Sequence, residues 1–146
     1  IIPDQVRMIG SIRSFTPETR QGIAQRLTRT ATSIAESAGA SADVVISASM
    51  PVLVNDADLS ERAMAALRAR SGATVRDSGF MTSSEDFAYY AERVPAFFFR
   101  LGVTAPDIDP ATAPTNHSPQ FMIDESGLRH GVAAFLTLVE MATAAE

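Results

Sequence analysis

The sequence predicts an α/β fold, and three observations predict it. The first fifty residues read as strand, helix, strand. The run from Ala96 to Leu101, with Phe97-Phe98-Phe99 inside it, is apolar almost throughout. Such a run suits a strand buried on both faces, and so a sheet covered by helices. Further segments with helical spacing follow the first fifty residues and can supply that cover.

Taken in order, residues 5–14 alternate. Val6, Met8 and Ile12 share one face, and Arg7, Ile9, Ser11 and Arg13 share the other, which is the period of a half-buried strand. Thr16-Pro17 reads as an N-cap followed by proline at the first helical position. Ile23, Ala24, Leu27, Ala31, Ile34, Ala35 and Ala38 recur at helical spacing until Gly39 stops the helix. Asp43 to Ser49 holds the β-branched run Val44-Val45-Ile46 and reads as a second strand. Residues 51–58 are turn-rich and mark a candidate boundary. Leu59, Ala63 and Leu67 line a helix ending near Gly72, and Ala73 to Asp77 reads as a short strand. After the small-residue loop 78–84, Ser83 or Ser84 is expected to cap a helix reaching about Val94, with Glu85 and Asp86 in its first turn. Residues 103–123 carry Pro106, Pro110, Pro114 and Pro119 and form a loop of unusual length. The last helix is expected from Asp124 to about Ala145.

Composition removes several function classes. The chain has 146 residues, a formal net charge of -5 and 46% hydrophobic residues. That is enough chain for a core, and the apolar fraction is too high for disorder. No apolar run approaches the ~18 residues of a membrane span. An acidic balance with no basic cluster argues against nucleic acid as the main partner. Cysteine is absent, so disulfides and a thiol nucleophile are excluded, and the compartment stays open. All 12 basic residues are arginine, which also excludes a Schiff-base lysine. The opening Ile1-Ile2-Pro3-Asp4 reads as a strand end running into a turn; a chain continuing upstream or a trimmed terminus accounts for it equally.

Few residues can carry chemistry. His117, in Asn116-His117-Ser118-Pro119, is either a ligand or base facing a cleft or a loop histidine capping a carbonyl. His130, in the last helix, reads as structural or surface. Glu85 and Asp86 are metal-ligating carboxylates or ordinary helix-start acids. Arg13 is a bidentate carboxylate binder or a solvated edge residue. There is no HxH, HExxH, GxSxG or phosphate-binding glycine loop, and a catalytic metal site usually needs three protein ligands.

Four blocks, in order and across nearly the whole chain, carry a resemblance. They are Ile2-Pro3-Asp4 leading to Gly10-Ser11-Ile12-Arg13-Ser14-Phe15-Thr16-Pro17-Glu18, then Leu53-Val54-Asn55-Asp56, then Ser84-Glu85-Asp86-Phe87-Ala88-Tyr89-Tyr90, then His117-Ser118-Pro119-Gln120-Phe121. Together they resemble the C-terminal part of the aminoacylase/carboxypeptidase family of metal-dependent amidohydrolases, in the branch of hippurate and indole-acetyl-amino-acid hydrolases. The resemblance implies a ferredoxin-like lid domain, often a dimer interface, and a helix-covered mixed-sheet catalytic domain. Residues 1–54 would be the C-terminal half of the lid, and 55–146 the C-terminal segment of the catalytic domain. It implies two divalent metals, usually zinc, with manganese, cobalt or nickel in some members. His117 matches the last metal ligand and Arg13 the lid arginine that binds the substrate's carboxylate. Glu85 and Asp86 match the acidic block lining the cleft.

The function so implied is hydrolysis of the amide bond of N-acyl amino acids or small peptides by a metal-activated water, in a homodimer joined through the lid. The family's other ligands and its general-base glutamate have no match here, so the chain alone is expected to be incomplete and inactive. The alternatives are a non-catalytic ferredoxin-like dimerisation or regulatory module and a relative that binds ligand without catalysis.

Overall fold

The computed structural model describes residues 3–47, 50–70, 72 and 74–144. They form two compact units, Ile1–Val54 with Gly79–Arg93, and Asn55–Ser78 with Val94–Glu146.

The first unit is organised on helix α1, Pro17–Ser37. Thr16 stands in extended conformation before it, and its side chain accepts from the Thr19 N–H at 3.1 Å. Pro17 costs nothing at a position whose N–H has no partner inside the helix. The far end closes as a Schellman motif: the Gly39 N–H donates to Glu36 and the Ala40 N–H to Ala35, at 3.0 and 2.9 Å. This requires a left-handed residue, and Gly39 has φ +72°. Helix α1 buries no residue fully, and Leu27 and Ile34 of its apolar stripe are exposed. The unit's other helix, α3, is the single turn Ala88–Ala91.

The second unit packs α2, Ala57–Arg70, on α4, Leu128–Thr143, which a 3-10 turn at Glu125–Gly127 introduces. Asp56 caps α2, its carboxylate accepting from the Leu59 N–H at 2.8 Å. The buried positions are Ala63 and Leu67 on α2, Gly131, Ala134 and Thr137 on α4, and Ala96 between them in sequence. Small residues at that spacing let backbones approach; a Cβ on Gly131 would lie 2.9 Å from Leu101 Cδ2. The larger apolar residues of α4, Val132, Phe135, Leu136 and Val139, remain about 60% exposed. An ion pair at 2.7 Å joins Arg70 to Glu140, and its exposure limits it to under about 1 kcal/mol.

The predicted α/β class is therefore corrected. Among the described residues the structure is helical, with no strand and no sheet, hence neither a ferredoxin-like lid sheet nor a mixed catalytic sheet. Residues 5–14, 43–47, 74–77 and 96–101 are irregular; the expected strand residues Ala48, Ser49 and Ala73 lie outside the description, as do Ile1, Ile2 and Ala145. Alternation and β-branching record which side chains suit a pleated surface, and they do not supply a neighbouring strand. Val6, Met8 and Ile9 are 75%, 89% and 85% exposed, so their segment has neither ladder nor cover. Phe97, Phe98 and Phe99 are half-buried, not a core strand.

Single bonds hold that phenylalanine segment in place of a ladder. The Asp56 N–H donates to the Ala96 carbonyl at 2.9 Å. The Asn55 side chain spans the Phe98 peptide: Nδ2 donates to its carbonyl and Oδ1 accepts from its N–H, both at 2.8 Å. Downstream, the Asp124 N–H donates to the Val103 carbonyl at 2.8 Å. Phe99 meets Phe135 of α4 with ring centroids 5.3 Å apart.

Candidate functional site

Arg13 and the Ser84-Glu85-Asp86 block come together in the first unit. Arg13 Nη1 donates to the Thr82 carbonyl at 2.8 Å and to Ser84 Oγ at 3.0 Å. The chain reaches those acceptors through Gly79, at φ +64°, and through Phe80, whose ring lies 5.5 Å from that of Phe15. Arg13 is exposed, so its side chain can meet a ligand while one of its nitrogens is held.

The expected helix from Ser83 or Ser84 to Val94 shortens to α3. Ser84 gives its oxygen to Arg13, and Phe87, at the N-cap position, makes no side-chain cap bond. Pro95 bars continuation downstream. Glu85 is half-buried and Asp86 exposed. Their carbonyls accept from the Ala88 and Tyr89 N–H groups at 3.2 and 3.0 Å, which turns the chain into α3. A helix of four residues has too few aligned peptides for the macrodipole invoked from sequence.

His117 belongs to the second unit and is exposed. Two successive turns place it. The Ser118 N–H donates to the Thr115 carbonyl at 2.8 Å, with Asn116 and His117 at the corners, and the Phe121 N–H donates to the Ser118 carbonyl at 3.0 Å. Pro119 takes the first corner of the second turn, which its fixed φ favours. Pro106 and Pro110 stand likewise in the turns closed by the Ile108 and Thr112 N–H groups. The long loop is thus a series of turns, three of them initiated by proline. His130 is half-buried on α4.

Among the described residues, no three His, Asp or Glu side chains gather to hold an ion. His117, Glu85 and Asp86 each offer single donors. Sequence reasoning missed Thr82 altogether and misassigned Ser84. A carbonyl's role leaves no trace in residue type, and a serine before two acids carries the signature of an N-cap.

Residues 6–141 match the profile of peptidase family M20/M25/M40. The chain is 33% identical to an N-acetylcysteine deacetylase of Bacillus subtilis over 88% of its own length and 32% of that protein's. It is 31% identical to thermostable carboxypeptidase 2 of Saccharolobus solfataricus, over 94% and 34%. It is 32% identical to the Arabidopsis thaliana IAA-amino acid hydrolase ILR1-like 2, over 91% and 30%. No solved structure matches the chain. The chain spans about a third of the length of these curated relatives. The order of the four blocks and the profile match agree, and the chain belongs to peptidase family M20/M25/M40, a family of hydrolases.

Proposed function

We propose that the natural protein containing these residues is a metal-dependent amidohydrolase that cleaves the amide bond of N-acyl amino acids or small peptides. The observation that carries this reading is the family match over residues 6–141, whose relatives bear the names deacetylase, carboxypeptidase and amino acid hydrolase. Arg13 supports it: an exposed arginine held at one nitrogen suits recognition of a free carboxylate. In this reading His117 is one ligand of a pair of divalent metals, zinc first among them, because a neutral imidazole suits such ions. Glu85 and Asp86 are cleft-lining carboxylates in this reading. Residues 1–54 belong to the lid and its homodimer interface, and 55–146 to the catalytic domain.

His117→Ala in the natural protein tests it. The variant is expected to lose bound metal, counted by plasma emission spectrometry, and nearly all hydrolysis of an N-acetyl amino acid. Retention of both metal and turnover would remove His117 from the site and favour a binding or dimerisation role.

A further inference from the structure

We infer that Ser84, with the Thr82 carbonyl, is a positioning element that aims Arg13 at the substrate's carboxylate. The inference rests on the reading of Arg13 as the carboxylate binder. A guanidinium is a planar fork with five N–H donors. Two of them, on Nη1, are matched by the two acceptors at 2.8 and 3.0 Å. Among the described residues, no acceptor is bonded to Nε or Nη2. Because the group is planar, holding Nη1 at two points sets the plane and leaves the Nε–Nη2 edge for a two-point bond to a carboxylate. An unanchored arginine loses more rotamer freedom when it binds, and anchoring it in advance lowers that cost. The same two segments also approach at a second point, since the rings of Phe80, two residues before Thr82, and Phe15, two residues after Arg13, have centroids 5.5 Å apart. Ser84 does not touch substrate in this arrangement and acts through Arg13.

The test compares an N-acetyl amino acid with its carboxamide, which lacks the charge, in the natural protein. Ser84→Ala is expected to raise KM for the acid about threefold to tenfold, the range set by ordering one long side chain, with kcat within about twofold and the carboxamide unaffected. Ser84→Thr restores the hydroxyl and is expected to restore KM. An unchanged KM for the acid, an equal loss on both substrates, or no recovery with threonine overturns the positioning role. Arg13→Ala separates the two layers. If it abolishes the preference for the acid while Ser84→Ala leaves it intact, only the positioning role fails. If it too leaves the preference intact, the carboxylate reading of Arg13 fails, and this inference with it.

Discussion

Asn55→Ala removes the side chain that takes the place of a strand partner along the phenylalanine segment. Two bonds at 2.8 Å are lost at once, one from Nδ2 to the Phe98 carbonyl and one from the Phe98 N–H to Oδ1. A net contribution of about 1 kcal/mol per bond gives about 2 kcal/mol, and incomplete rehydration of a part-buried peptide adds up to about 2 more. A loss of about 2–4 kcal/mol is therefore expected, read as a lower denaturant midpoint with an unchanged slope. Asn55→Asp keeps the acceptor for the Phe98 N–H but sets a carboxylate against the Phe98 carbonyl. It is expected to fall at least as far as alanine at neutral pH and to recover part of the loss in acid, where a protonated carboxyl donates again. Circular dichroism during urea titration measures all three proteins. An alanine variant within about 0.5 kcal/mol of the parent would falsify the claim that this side chain substitutes for a ladder.

Two further perturbations have clear signs. Gly39→Ala places a Cβ in open space but at φ +72°, so its cost is backbone strain alone, about 1 kcal/mol. Thermal midpoints are expected to rank glycine above asparagine above alanine there, and an alanine variant as stable as the parent would refute the left-handed cap. The Asp124 carboxyl is held below the usual carboxylate range by its hydrogen bonds to the Ser126 side chain and the Ser126 N–H, with a smaller contribution from Arg129. A lowered native pKa means stability that is present above the unfolded value, 3.8, and lost as pH falls through the native one. The stability gap between the parent and Asp124→Asn is expected to hold from neutral pH to about 5 and to shrink in stronger acid; a gap that widens as pH falls would contradict the assignment.

Sequence alone located the long helices and their signals. Thr16-Pro17 and Gly39 delimit α1 because caps and left-handed glycines act within a few residues. Leu59, Ala63 and Leu67 lie on α2 as their spacing required, and Pro106, Pro110 and Pro119 sit at turn corners. The four blocks also carried the family, since a motif survives in the residues whatever the backbone around it does. What sequence could not decide was pairing. Residues 5–14 and 96–101 have strand-like patterns, yet pairing depends on what chain lies alongside: an asparagine side chain and a single backbone bond stand beside 96–101, and Val6, Met8 and Ile9 of 5–14 are exposed. Ser84 shows the same division. Its local context spells a helix cap, and a guanidinium 71 residues earlier in the sequence takes its oxygen. Caps, turns and motifs are encoded within reach of a few residues, whereas the partner of an extended segment or of one hydroxyl is chosen by distant chain, and only tertiary structure brings that chain near.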